Sequence, residues 1–301
     1  MANFTLANNK LLGLDDLQLG VAETIVTAAP MLSQMPFNVV SGNAYAFNRE
    51  NVLVDGQLIA ADGTITDSSA YSSLLVQIAL KGISGQADVA NMNLAQGVGL
   101  PNNTLAILTA SAAKGVARKY QDMFINGTVG ANGWDGLEAI FGAAPFTGQV
   151  VDAADAAFTL DLVDSALSLV VGARPQWIMG NGKAENAFRK AMRAAGGITS
   201  IELNGVYFMS YDGIPFIRND FIVADIDGVT AGNQTNIYMG TWDDGSASGG
   251  VAGIAPAGNL LRVETFDKLE GKDATRVRVV MYGAAAAFSP AQVAKLGSVT
   301  V

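Results

Sequence analysis

The sequence contains neither cysteine nor histidine. There is therefore no thiolate nucleophile, no Ser-His-Asp triad, no disulfide and no ordinary zinc site, and the candidate catalysts left are carboxylates, lysine, tyrosine and serine. Charge is sparse as well: only 15% of residues are charged, and 27 acidic against 18 basic side chains give a formal net charge of -9. No run approaches the roughly 18 to 20 unbroken apolar residues of a membrane helix. The amino terminus, MANFTLANNK, lacks the basic segment and apolar core of a secretory signal. The absence of cysteine fits a cytoplasmic origin. What the chain has in excess is apolar side chains, 50% of 301 residues. That length makes one large domain or two modest ones. The apolar surplus points to subunit interfaces, since obligate assemblies bury roughly 2,000 Å² or more of rather hydrophobic surface.

Leu14 to Met35 reads as a short helix with Leu17, Val21, Thr24 and Ile25 on one side, ended by Pro30. NAYAFNRE (43–50) alternates, with Tyr45, Phe47 and Arg49 on one face, and SSLLVQIALKG (72–82) carries Leu74, Val76, Ile78 and Leu80 on one face. Two strands joined by a polar connection of some twenty residues have no third strand nearby to cover them. They are expected to lie on another part of the chain or on a neighbouring subunit. A Gly-dotted connector follows, SGQADVANMNLAQGVGLP. It leads to the strongest helix, 103–126, with Leu105, Leu108, Ala112, Val116, Tyr120 and Phe124 at helical spacing and Asn102 or Asn103 as N-cap. Gly127 stands where a left-handed helix-ending residue is expected.

Beyond Pro145 helices and strands alternate. A helix is expected over 159–172, a short buried strand at RPQWIMGN, a helix from about Lys183 closed by Gly196 and Gly197, and a hairpin about the Asp212 and Gly213 turn. IYMGTW is another strand, 243–258 a long flexible loop, and LLRVETFDK and TRVRVVMYGAAAAF are long alternating strands. The class is α+β.

Several local signals suggest chemistry and fail on spacing. The glycines of NGTVGANG follow a helix carboxyl terminus, where the dipole repels anions, and the GxxxxGK[ST] pattern is absent, so a phosphate cradle is disfavoured. GNGKAEN opens a helix but also lacks that spacing. DIDG (225–228) lacks the remaining calcium ligands and reads as an exposed turn. Asp243 and Asp244 are adjacent, so in a strand they point to opposite faces; they are expected to keep the Gly-Ser loop solvated. Arg189, Lys190 and Arg193 form a basic patch with Glu185 placed to pair with Arg189. Trp134, Trp177 and Trp242 read as core or interface anchors.

The order of parts resembles the tailed-bacteriophage major capsid proteins of the Hong Kong 97 type, over essentially the whole chain. The phrases that carry it are GWDGLEAIFG after the long helix, RPQWIMGNGKAENAFRKAM, DGIPFIRNDFI and RVRVVMYGAAAAFSPAQVAKL. The resemblance implies an N-arm at 1–37, an extended E-loop hairpin at 38–82, a P domain at 83–145 and 257–301 with its spine helix at about 103–126, and an α/β A domain at 146–256. It further implies a structural protein without cofactor, catalytic residue or metal, which assembles with itself into pentamers and hexamers of a shell enclosing double-stranded DNA. Scaffolding protein, portal and optionally a decoration protein would be its partners. The place would be the virion capsid, assembled in the bacterial host cytoplasm, with no membrane. Residues expected at subunit interfaces are Leu17, Val21, Ile25, Tyr45, Phe47, Arg49, Leu74, Val76, Ile78, Asp243 and Asp244, the last two near a symmetry axis. The best-known member links subunits between an E-loop lysine and an asparagine near the carboxyl terminus. Here 51–69 contains no lysine and no asparagine follows Asn259, so no such link is expected. The chain begins almost directly with the arm, which favours a separate scaffolding protein. An encapsulin-like nanocompartment, sharing the fold, and a soluble carboxylate-dependent enzyme are the alternatives.

Overall fold

The computed structural model describes residues 30–42, 44–52, 58–64, 72–96, 104–203, 206–224, 234–246, 249–257, 261–267 and 269–301. The expectations for Leu17, Val21 and Ile25, for the N-cap at Asn102 or Asn103, and for the turn at 225–228 lie outside the described residues. In chain order the elements are β1 (Phe37–Val40), β2 (Ala44–Val52), β3 (Ser72–Ala79), β4 (Lys81–Ala90), α1 (Asn91–Gln96), α2 (Thr104–Asn126), α3 (Leu137–Phe141), β5 (Val150–Asp152), α4 (Leu160–Leu167), β6 (Trp177–Gly180) and α5 (Gly182–Ala195). There follow β7 (Thr199–Leu203), β8 (Val206–Tyr211), β9 (Ile214–Arg218), β10 (Gln234–Gly240), β11 (Val251–Pro256), β12 (Leu261–Phe266), β13 (Ala274–Ala287) and β14 (Val293–Thr300). β2 and β3 pair by themselves; β1-β11-β13-β12 form a second sheet, with β4 also on β13; and β5-β14-β10-β6-β9-β8-β7 form the third.

The long strand β13 organises the second sheet. Its alternating first half pairs with β4 and β12, and its alanine-rich end pairs with β11. α2 lies across it, burying Val116, Tyr120 and Phe124, and the Tyr120 hydroxyl donates to the Ala284 carbonyl at 2.8 Å. Small side chains are what let a helix come this close. At Gly85 of β4 a Cβ would stand 2.9 Å from the Ala112 carbonyl oxygen of α2. From sequence this Gly-dotted stretch reads as a connector, because glycine weakens a strand; here the missing side chain is the contact surface. Across β4 and β13, Arg276 holds Asp88 through two hydrogen bonds of 2.6 and 2.8 Å, and these keep the Asp88 carboxyl below its ordinary value. A depressed native pKa stabilises the fold above the unfolded value and is lost as pH falls through the native one. Asp88→Asn is therefore expected to lower stability at neutral pH and to flatten its fall below about pH 4, as read by urea midpoints across pH.

The third sheet is covered on both faces, which explains why WIMG is continuously apolar. Ile178, Phe216, Ile237, Met239 and Leu296 meet Val163 and Ala166 of α4 and Phe188 and Met192 of α5. On the other face Trp177, Met179, Ile217 and Tyr238 join the cluster that holds Tyr120, Trp134 and Phe141. α5 starts as expected, with the Asn181 side chain accepting the Ala184 N–H at 2.9 Å, and ends at Gly196 with φ 124°. The hairpin β8-β9 turns through Asp212 (φ 48°) and Gly213 (φ 75°), the pair of positive-φ positions that a tight hairpin turn requires. α4 is shorter than the expected 159–172.

Three expectations are corrected. The segment 243–258 is not one flexible loop: Val251 to Ala255 are buried in β11 between β1 and β13. The phrase expected to close the chain as one strand, RVRVVMYGAAAAFSPAQVAKL, is two: β13 in the second sheet, and the start of β14, which joins the seven-stranded sheet beside β10. Gly127 is not left-handed. What it provides is room: a Cβ there would stand 2.3 Å from the Met123 carbonyl oxygen and 2.4 Å from that of Trp134. The Gly136 N–H donates to the Gly127 carbonyl at 3.0 Å, so the loop 128–135 closes onto the end of α2. Trp134, Leu137 and Phe141 are buried beside it, with the Trp134 ring 5.3 Å from Tyr120.

Candidate functional site

The β2-β3 hairpin has the expected alternation. Tyr45, Phe47 and Arg49 stand opposite Ile78, Val76 and Leu74. That face sits on the chain's own core. Phe47 meets Phe288 edge-on at 4.8 Å and Tyr45 meets it at 6.0 Å. Arg49 donates to the Phe288 carbonyl at 3.0 Å and to that of Ala287 at 2.5 Å, with its guanidinium 4.8 Å above Phe146. Burial lowers the Arg49 pKa and raises that of Tyr45, the latter aided by the charge of Asp243. Four of the expected interface residues, Tyr45, Phe47, Val76 and Ile78, thus pack within the subunit. The opposite face, Ala44, Ala46, Asn48, Leu75, Gln77 and Ala79, is exposed, and Leu74 and Leu75 are exposed by half or more. Among the described residues neither outer edge of this hairpin has a strand partner. An open edge is an invitation to pair with another chain.

The two adjacent aspartates do part ways. Asp243 is 5% exposed and accepts from Asn38 Nδ2 at 2.8 Å and from the Gly245 N–H at 3.1 Å. It anchors β1 to the segment before β11, which corrects the expectation that it solvates the loop. Asp244 is exposed and accepts the Ser246 N–H at 3.0 Å; hydrogen bonds from Ser246 hold its carboxyl below the ordinary value. Glu185 pairs with Arg189 at 2.5 Å as expected.

One polar group was not legible in the sequence. Glu138, in the first turn of α3, faces the seven-stranded sheet and meets Tyr238 and Asn236 of β10 and Lys295 of β14. Burial opposes its ionisation. Hydrogen bonds from Lys295 and Tyr238, the lysine charge and the Asn236 amide outweigh that, and the carboxyl lies below its ordinary value. The available signal was a lysine and an asparagine inside otherwise buried strands, AKLGS and TNIYMG. Under α3 and the hairpin lies a cavity of about 280 Å³ lined by Arg49, Val76, Trp134, Asp135, Ile140 and Phe146 among others. Among the described residues no group of three or more carboxylates is placed to hold a metal, and no helix is long and apolar enough to cross a membrane.

No protein-family model matches the sequence, and no curated protein matches it either. Solved structures do match, along nearly the whole chain. The holo-SrpI encapsulin complex from Synechococcus elongatus PCC 7942 aligns with TM-score 0.70 at 18% identity, covering 100% of this chain and 97% of that one. The capsid of an empty GTA particle aligns with TM-score 0.59 at 15% identity over 91% and 90%. A capsid protein of Microbacterium phage Oxtober96 aligns with TM-score 0.61 at 14% identity over 98% and 99%. The chain has the Hong Kong 97-type capsid fold. In this fold the neighbours are shell proteins rather than enzymes, and phage structures outnumber encapsulins among them. The identities carry the fold alone, so the open hairpin face and the edges remain the structural basis for a function.

Proposed function

We propose that the protein is the major capsid protein of a tailed bacteriophage. Copies assemble as pentamers and hexamers of an icosahedral shell that encloses double-stranded DNA. The observation that carries this reading is a hairpin whose inner face is seated on its own subunit while, among the described residues, its outer face and both edges are open. A neighbouring copy supplies the missing cover. Leu75 lies in that contact, Leu74, half-exposed on the inner face, meets a neighbouring copy from the other side, and Asp244 faces solvent or a symmetry axis; the arm stripe of Leu17, Val21 and Ile25 lies across a further subunit. The acidic chain, at -9, suits a wall that must not grip packaged DNA, since a strongly basic surface binds it by counterion release. A separate scaffolding protein, a portal and optionally a decoration protein are the partners, and assembly takes place in the host cytoplasm.

A second reading, an encapsulin-like compartment, is favoured by the higher TM-score of that neighbour, 0.70 against 0.54 to 0.61 for the phage and GTA structures. Negative-stain microscopy of the expressed chain, with and without scaffold, tests both. Closed particles are expected, and persistent small species under every condition would sink the shell reading. DNA-filled particles in infected cells support the phage assignment, whereas protein-filled ones support the compartment. Deleting 51–69 is expected to abolish closed particles while leaving the subunit folded; unchanged particle yield and heat resistance would count against the hairpin's role.

A further inference from the structure

The cavity under α3 and the hairpin is short of negative charge. Arg49 lines it, and its guanidinium lies among other lining groups, 4.8 Å from the Phe146 ring centroid and 2.5 Å from the Ala287 carbonyl oxygen. Among the described residues its contacts are that ring, the Phe47 ring and the carbonyls of Ala287 and Phe288, and none of them is a carboxylate. The two carbonyls occupy two of the five N–H groups a guanidinium carries. A cation taken out of water ordinarily has a counter-charge beside it. Its lack shows in the direction in which burial moves the Arg49 pKa, downward. Lys81 lines the same cavity and also has no ion pair among the described residues. Of the lining side chains only Asp135 is acidic; it is exposed, and it accepts the Val129 N–H at 3.2 Å. The remaining lining is mostly apolar, with Val76 and Ile78 from the hairpin and Trp134, Ile140 and Phe146 from the segment around α3.

We propose that this cavity binds a small carboxylate with an apolar body, its charge on the Arg49 guanidinium with Lys81 adding positive potential, and its body against Trp134, Ile140 and Phe146. The division of labour is that of small-molecule sites in general, an apolar lining with a few polar groups that fix orientation. Size agrees: a dry cavity of roughly 150 Å³ takes benzene, and about 280 Å³ has room for a ring and a short acid arm. A carboxylate on a guanidinium is a charge-assisted pair, stronger than the same contact with a neutral amide. The two sides of the cavity come from different parts of the chain, so an occupant touches both. It therefore holds the hairpin on its seat, because a ligand that binds only the seated form shifts the balance toward it by mass action. The site lies inside one subunit and stands whatever that subunit assembles into.

Titration calorimetry of the unassembled full-length chain with phenylacetate is expected to show saturable binding with a Kd of about 1 mM or below. Phenylacetamide, of the same shape without the charge, should bind about tenfold more weakly. Amide exchange within 44–52 and 72–79 should slow by about tenfold at a phenylacetate concentration ten times its Kd. Lys81→Gln should weaken binding several-fold, and Arg49→Gln should abolish it. Because Arg49→Gln also loosens the hairpin, the deciding variant is Ala139→Leu, which fills the cavity from α3 and leaves both cations in place. Binding is expected to be lost there as well. Absence of saturable heat up to about twenty times that Kd, equal affinity for acid and amide, or undiminished binding in Ala139→Leu overturns the proposal.

Discussion

Gly127→Ala is expected to destabilise the subunit by about 3 to 5 kcal/mol, a large part of the roughly 5 to 15 kcal/mol that holds a domain together. The added methyl would meet two carbonyl oxygens at 2.3 and 2.4 Å, both of them backbone. A side chain can rotate away from such a clash; the last turn of α2 and the loop returning over it cannot, because the Gly136 N–H already fixes that loop to the Gly127 carbonyl. Gly136→Ala should behave alike, since its Cβ would stand 2.5 Å from the Ile125 carbonyl oxygen. The comparison that isolates the cause is Gly115→Ala in the same helix, where nothing lies within 4 Å. There the substitution should stabilise by about 0.5 to 1 kcal/mol, from helix propensity alone. Chemical denaturation of the three variants reads the difference. A wild-type midpoint for Gly127→Ala would show that the elbow is looser than the close approach implies.

Phe47→Ala is expected to release the hairpin from its own subunit. The ring is almost fully buried and packs edge-on against Phe288, and truncation of such a residue costs about 3 to 5 kcal/mol. Because the hairpin touches the rest of the chain mainly through Tyr45, Phe47, Arg49, Val76 and Ile78, the loss falls on local opening rather than on the whole fold. Amide exchange or proteolytic cutting within 44–52 and 72–79 should rise on the order of 100-fold in unassembled subunits. Leu75→Asp on the open face should leave that exchange unchanged and prevent particle formation. Equal protection of the hairpin in wild-type and Phe47→Ala subunits would mean that the intrachain seat contributes nothing.

What was legible in the sequence was local. The alternation of NAYAFNRE and SSLLVQIALKG, the apolar run WIMG, the cap and glycine stop of α5 and the Asp212-Gly213 turn all express a period or a backbone demand within a few residues. What was missed depends on partners far along the chain. β4 reads as a connector because its glycines only make sense once α2 is laid on Gly85. β11 hides in a Gly-Ser stretch, and its burial comes from β1 and β13 on either side. Asp243 looks like a loop carboxylate until Asn38 is brought to it. Glu138, Asn236 and Lys295 are unremarkable until a helix and two strands converge, and no spacing rule links them.

The second and third sheets are closed late. Phe37 pairs with Gly253, Lys81 to Ala90 pair with Ala274 to Gly283, and Val150 pairs with Lys295. Such long-range pairing makes folding slow and holds early strands unpaired until the distant ones exist. A nascent chain on the ribosome therefore has no seat for its hairpin until Phe288, far along the chain from Phe47, has been made. Translation itself sets a clock: the hairpin can take its seat, and the shell contact proposed for its open face can form on a finished subunit, only after Phe288 has been made.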